Sequence, residues 1–380
     1  MSRYIQNLVG KFTDLDWKRL LKLKQDEVLG LDIGSSAVKM VHLRKDDAGY
    51  TVTAAGIVDI ADGDDNGNRT EINTVKAIRK CLQSTGARTP LVVCGVSGPE
   101  VAIRDFKFPS LPPDEVEGAV SLEAEQICPF NINQASVHYQ LIPDGEDGVR
   151  GVLVAATNKV IKNKVQPAKS AALNCVLMDV DGLALLNCFS GLPFCEKPQN
   201  EVAKESEHEK PEAGRTTTAI LNVGSSYTNL TIIGDNDLPF VRDMTNAGKT
   251  IVKEIATEKG DSVETINRVL SGCENPDKAR SEIGDSLGKA CRKLIVDVTE
   301  TLRYYAAQER STIVDKIFVC GGFALVNGFV ELLDSQLPAR VVLWNPFDKI
   351  RCDAGRQCKD MLAKTGPAMA VAAGLAMRSI

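Results

Sequence analysis

An aspartate stands inside an apolar run at LDIGSS, residues 31–36, followed at once by a glycine and two serines. The string returns as LNVGSS at 221–226, with Asn222 in the place of Asp32. A carboxylate in a strand costs free energy unless something pairs with it, so Asp32 points to a metal, a ligand or a tight turn. Glycine lets backbone N–H groups approach an anion, and serine hydroxyls with successive amides form a concave nest for phosphate oxygens. Facing nests at Gly34, Ser35 and Ser36 and at Gly224, Ser225 and Ser226 would grip a polyphosphate. Asp32 would then point at the accompanying magnesium through water, since that ion dehydrates reluctantly. Either turn alone is an ordinary hairpin; what argues for a shared ligand is the repeat at a constant offset, 222 minus 32, or 190 residues.

A third element has related chemistry. IFVCGGFALVNGFVELL at 317–333 reads as a buried strand, a Gly321-Gly322 turn and a helix from about Ala324. Such a turn admits a ligand and aims the positive end of the helix dipole at it, although a tight strand-to-helix turn needs no ligand to explain it. The AGKT string at 247–250 does not make a P-loop, because Asp243 occupies the position where that motif requires its first glycine. With three histidines in the chain, a histidine-rich metal site or a Ser-His-Asp triad has little to draw on. Eleven cysteines without a C-x-x-C pair read as free thiols of a reducing compartment. A formal charge of -5, spread along the chain, gives no pull toward nucleic acid or anionic lipid.

The elements that must position these turns come in two similar sets. GLDIGSSAVKMVHLRK is a strand, a Gly-Ser-Ser turn and a second strand, and AILNVGSSYTNLTIIG repeats it. A duplicated hairpin at the head of two α/β halves predicts two related lobes with a cleft between them. The boundaries drawn are a first lobe over 28–190, a polar linker or loop at 196–215 and a second lobe over 216–365. The linker, EKPQNEVAKESEHEKPEAGR, lacks aromatic, Ile and Leu residues and cannot offset its ordering entropy by burial. A small-residue helix over 366–380 returns to the lobe interface, its alanines and Gly374 allowing close helix packing. Residues 1–27 form an amphipathic, basic extension that suits a membrane surface, an acidic partner or simple packing on the body. The longest apolar run, GPAMAVAAGLAM, is well short of the roughly 20 residues of a bilayer span.

The ordered set LDIGSS, LMDVDGLALLN, LNVGSS, VCGGFALVNG and GPAMAVAAGLAM resembles the five nucleotide-binding elements of the actin, Hsp70 and sugar-kinase superfamily. Within it the chain is similar to the PilM family of type IV pilus assembly, over roughly residues 28–378. The resemblance implies an α/β, actin-like fold with ribonuclease H-like duplicated lobes, a nucleotide cleft and a small inserted α+β subdomain. That insert, at about 100–165, is placed by the stretch VAIRDFKFPSLPPDEVEGAVSLEAEQICPFNINQASVHYQLI, with a helix over 113–127 rich in acidic residues. It further implies ATP and Mg2+ as cofactors, with Gly34, Ser35, Ser36, Lys39, Gly224, Ser225, Ser226, Gly321, Gly322 and Phe323 at the nucleotide and Asp32 at the metal. Glu264 and Arg268 would lie where relatives contact ribose and base; one helical turn apart, they read equally as a surface ion pair.

The implied function is a cytoplasmic ATP-binding scaffold of the inner-membrane pilus platform, active in twitching motility and peripheral to the membrane through a partner. That partner is a PilN-like bitopic membrane protein, whose short N-terminal peptide, basic and leucine-bearing, would lie in the groove beside the insert. Pilus motor ATPases are a further implied partner. The departure from the superfamily pattern is Asn222, which is uncharged and cannot act as a base where relatives carry an aspartate. Phosphate binding should survive this change while hydrolysis becomes slow or absent. The alternatives are a slow ATPase or phosphotransferase, for which the sequence places no second carboxylate at the cleft, and an FtsA-like or type II secretion-related component. A filament-forming, FtsA-like role is disfavoured because no membrane helix follows AMRSI.

Overall fold

Three β-sheets organise the described part of the chain, residues 28–47, 49–61, 68–142, 148–192, 217–233, 239–271, 284–308 and 313–378 of a computed structural model. The expected N-terminal extension (1–27) and polar linker (196–215) lie outside these residues.

The first lobe opens with β1 (Leu29–Ile33), β2 (Ala37–Asp46) and β3 (Gly49–Asp59), an antiparallel meander. Helix α1 (Asn68–Thr85) leads to β4 (Leu91–Val96), which runs parallel to β1. The second lobe repeats this plan with β9 (Thr217–Val223), β10 (Thr228–Ile233) and β11 (Pro239–Met244), joined in parallel by β12 (Val314–Cys320) and β13 (Arg340–Leu343). In both meanders the first strand is almost wholly buried, with its next-to-last residue, Asp32 or Asn222, only partly so. A strand covered on both faces requires the apolar runs seen around these two residues.

Between β4 and the rest of the first lobe sits the insert, a three-stranded sheet in the order β5 (Val101–Phe108), β7 (Val149–Thr157), β6 (Ala135–Ile142). Helix α2 (Pro113–Ile127) covers it, with Pro113 in the first turn and two acids, Asp114 and Glu115, beside the positive helix end. Val116, Val120 and Ala124 fall four residues apart, so one stripe is buried and meets Phe106, Leu153 and Ala155 in a separate small core. The remaining exposed positions of α2 include Asp114, Glu115, Glu117 and Glu125. Residue 165, near the expected end of the insert, falls inside α3 (Asn158–Ser170), whose Val160 and Ala168 join the first-lobe core. The insert therefore closes at Thr157, where the chain turns from sheet to helix.

After β8 (Asn174–Val180), which runs parallel to β4 at the edge of the first sheet, comes α4 (Asp181–Ser190), a helix with a buried apolar run from Gly182 to Leu186. The second lobe contributes α5 (Gly248–Lys259), α6 (Val263–Leu270), α7 (Arg292–Ala306) and α8 (Phe329–Gln336). The expected lobe boundary at 365 is crossed earlier by the chain. β14 (Arg351–Cys352) pairs with β3 of the first sheet, and Trp344, Phe347, Ile350 and Leu362 of the segment containing α9 (Arg356–Thr365) join the first-lobe core. Apolar burial, not chain order, draws this segment back.

Pro367 begins a short 3-10 turn at Gly366–Met369 that leads into α10 (Ala370–Ala376), every residue of which is buried. Gly374 lies against the Ala184 carbonyl of α4, so close that any Cβ would collide with backbone. The arginine after this helix, Arg378, is buried with its Nε 2.8 Å from Asp179 Oδ2 of β8. These atoms are not aligned as a hydrogen bond, so the pair is held chiefly by Coulomb attraction, and desolvation still raises the Asp179 pKa. Among the described residues no helix is long and apolar enough to cross a membrane.

Candidate functional site

The two Gly-Ser-Ser turns face one another. Ser226 Oγ of the second donates to Ser35 Oγ of the first at 2.8 Å, so the hairpin tips meet although 191 residues separate them. Each turn is closed the same way, Gly34 N–H bonding the Ala37 carbonyl and Gly224 N–H the Tyr227 carbonyl, both at 3.0 Å. Around the tips lies a cleft of about 890 Å³, within the range of small-molecule sites. Asp32, Gly34, Ser35, Ser36 and Lys39 line one wall and Asn222, Gly224, Ser225 and Ser226 the other, with Gly321, which packs on Asn222 and Val223, and Gly322 also in the lining.

Phe323 does not line this cleft. It is buried in the second-lobe core, its ring edge-on to Phe329 with centroids 4.9 Å apart. Glu264 and Arg268 also lie away from the cleft walls, on the exposed side of α6. The Glu264 carboxylate accepts from its own backbone N–H and from the Ser262 hydroxyl at the helix start, which lowers its pKa. The helix expected from Ala324 is replaced by a 3-10 turn at Gly322–Leu325, and α8 begins only at Phe329. Val326 is extended and Gly328 left-handed, so the helix cannot propagate back to the glycine pair. Gly321 N–H instead donates to the Pro367 carbonyl at 2.9 Å, tying this turn to the start of the C-terminal helix segment.

Asp32 is paired within the hairpin. In the β1–β2 ladder it stands opposite Lys39, whose Nζ donates to Asp32 Oδ2 at 2.8 Å with side-chain exposures of 12% for Asp32 and 15% for Lys39. Lys39 thus neutralises the carboxylate and presents a cation to the cleft. The equivalent cross-strand pair in the second hairpin is Asn222 and Asn229, where Asn222 Nδ2 donates to Asn229 Oδ1 at 2.7 Å. Asn229 Nδ2 in turn donates to Asp243 Oδ1 at 2.6 Å. Asn222 is therefore a donor at the head of an amide chain, a role that an ionised aspartate cannot fill.

A second cleft carboxylate, missed in the sequence, comes from the LMDVDGLALLN crossing. Asp181 begins α4 with its carboxylate against Gly95 of β4, where any Cβ would strike Oδ1. Burial and the nearby Asp32 carboxylate push its pKa up to about 7, while Lys164 and a hydrogen bond with Ser97 pull it down. Lys164 itself donates to the Ile33 carbonyl at the end of β1. The available sequence signal was the pair Asp179 and Asp181 flanking a strand end; only the fold sends one to Arg378 and the other to the cleft.

The donor set bears on a metal. Among the described residues no three His, Cys, Asp or Glu side chains converge as ligands, and one oxygen of Asp32 is already held by Lys39. These residues fit a magnesium ion carried by a ligand's phosphates and waters, with one protein carboxylate beside it, and do not fit an all-protein site.

The model of the type IV pilus assembly protein PilM family matches residues 30–380. Among solved structures, the chain is similar to the one described as a PilM-PilN type IV pilus biogenesis complex, at 23% identity and a TM-score of 0.73, covering 93% of this chain and 99% of that one. It is also similar to the ethanolamine utilization protein EutJ from Carboxydothermus hydrogenoformans, at 12% identity and a TM-score of 0.53, covering 92% of this chain and 89% of that one. At these identities the likeness is one of fold, the actin-like arrangement of two duplicated lobes around a cleft. By the family match over residues 30–380, this chain belongs to the type IV pilus assembly protein PilM family.

Proposed function

We propose that this chain is a nucleotide-binding scaffold of type IV pilus assembly, with ATP in the cleft as a ligand that holds the two lobes together. The observation that carries this reading is the meeting of the paired hairpins at Ser35 and Ser226, with Lys39 beside them. The amides and hydroxyls of both turns would hold the phosphates, Lys39 would add a charge-assisted bond, and Asp32 would order the waters of a magnesium ion. Bound magnesium would supply phosphate charge neutralisation. Melting the protein with and without Mg-ATP tests the reading: ligand at 100 times its dissociation constant adds about 2.7 kcal/mol, and an unchanged melting temperature overturns it.

The partner follows from the PilM-PilN complex that this chain resembles. We infer that the insert receives the N-terminal cytoplasmic peptide of a PilN-like membrane protein, which would hold the chain at the cytoplasmic face of the inner membrane. Supporting this, β6 is an outer strand of its sheet, with Tyr139 and Leu141 exposed, and α2 adds exposed Leu122 among its acids. An open edge with apolar and acidic neighbours suits a basic, leucine-bearing segment added along it. A pull-down with that peptide, compared between the parent chain and a Leu122→Lys variant, should lose the peptide in the variant; undiminished binding overturns this placement.

A second reading, slow ATP hydrolysis, is favoured by Asp181, a cleft carboxylate with a pKa near that of a working acid or base. Any hydrolysis should then vanish in Asp181→Asn.

A further inference from the structure

Asp243 has no part in the ligand contacts above, yet both its oxygens are engaged, one within the second lobe and one across to the first. Oδ1 accepts from Asn229 at 2.6 Å, and Oδ2 accepts the backbone N–H of Gly98, 145 residues away. Gly98 lies between β4 and β5, at the root of the insert. Its φ of +107 is one that side chains rarely adopt, and the ring of Tyr227, from the second phosphate hairpin, covers it so closely that a Cβ would sit 2.9 Å from Cζ. The root is further pinned. Gly98 carbonyl accepts from Val101 N–H at 3.0 Å, and Glu100 bonds Thr157 through its carbonyl at 3.0 Å and its carboxylate at 3.1 Å. Both the strand entering the insert and the strand leaving it are thus fixed at the same place, beside Pro99 and Glu100 of the cleft wall.

We propose that Asp243 is a positioning residue that couples the ligand state of the second phosphate hairpin to the orientation of the insert. The inference rests on the nucleotide and partner reading above and adds its regulation: occupancy of the cleft and capture of the partner segment assist each other. The hydrogen bonds all point one way, from Asn222 to Asn229 to the Asp243 carboxylate, and the Gly98 amide meets that carboxylate from the other side. A charge-assisted terminus strengthens each bond of such a chain. Ordering Asn222 and Tyr227 around a phosphate therefore orders the Asp243 and Gly98 contacts, and through them the ends of β5 and β7. Asparagine in place of Asp243 has one acceptor and one donor group, so it can serve Asn229 or Gly98 but not both.

The test is hydrogen–deuterium exchange on the full chain with and without saturating Mg-ATP. In the parent protein, ATP should slow exchange in the hairpins and also at the root and in β5 and β7, by about fivefold or more for a typical coupling. In Asp243→Asn the hairpins should still be protected while the insert loses most of its response. Tyr227→Ala, a second variant independent of the folding of the first, should weaken the insert response at saturation. Protected hairpins with an unresponsive insert in the parent overturn the coupling, and a variant insert that responds as the parent does overturns the role of Asp243. No protection anywhere in the parent overturns the nucleotide reading on which the inference rests.

Discussion

The two Gly-Ser-Ser hairpins share a backbone and differ in charge. Asp32 and Lys39 form an ion pair across the first, while Asn222 and Asn229, each 190 residues later, form a neutral amide pair at the same register. The ladder geometry is thus preserved by two unlike chemistries. The first pair can meet a metal with its carboxylate and a phosphate with its ammonium. The second can do neither, but it hands a hydrogen bond on to Asp243 and the root of the insert. On the function proposed above, one hairpin would hold a charged ligand and the other would report on it.

The comparison breaks most visibly at Asp32. Asp32→Ala leaves the Lys39 ammonium without its carboxylate in a mostly buried place, and removing one partner of a buried pair costs about 3–5 kcal/mol. The variant should melt well below the parent and bind Mg-ATP weakly; adding Lys39→Ala should recover part of the stability, as a double-mutant cycle by denaturant would show. A next effect, smaller but clear, is expected from Asn222→Asp, which sets a carboxylate against Asn229 Oδ1 and forces that amide to turn away from Asp243. The displaced bond costs about 1–3 kcal/mol. If the hairpins are truly interchangeable, the pair Asn222→Asp with Asn229→Lys should restore the parent melting temperature.

Asp181 senses the charge of the first hairpin, and this gives a pH test with a definite sign. Its carboxyl, ordinarily at 3.8, is raised to about 7 by burial and by Asp32. The folded chain then holds a proton that the unfolded chain has lost, so the stability it contributes is full below pH 4 and is lost as pH rises through 7. Thermal melts of Asp181→Asn against the parent should show that this slope has disappeared, and Asp32→Asn should reduce it. The smallest effect is expected at the tips. Ser226→Ala removes one solvent-exposed hydroxyl bond to Ser35 and should cost about 0.5–1.5 kcal/mol, readable as a slight fall in denaturation midpoint.

Much of the cleft lining was legible because Gly-Ser-Ser turns are local. A strand, a glycine and two serines fold within a few residues, and their repetition at a fixed offset marks the duplication. The α2 helix was equally legible, since Pro113 and Pro129 bracket an acidic run with a buried stripe every four residues. Phe323 differs from its neighbour Gly322, which lines the cleft, because the 3-10 turn carries the ring into the core. Glu264 and Arg268 follow helical spacing correctly, but spacing fixes a face and not what that face meets.

From its residues alone the chain determined two matching hairpins, an acidic helix bounded by prolines and a small-residue helix at 366–377, all patterns written over fewer than twenty neighbouring positions. The tertiary structure decided that Asp32 pairs with Lys39, that Asp181 reaches the cleft while Asp179 meets Arg378, and that residues 344–362 rejoin the first lobe. Such choices depend on which distant surfaces are buried together. Burial sets the cost of every unpaired charge, and no local spacing encodes it.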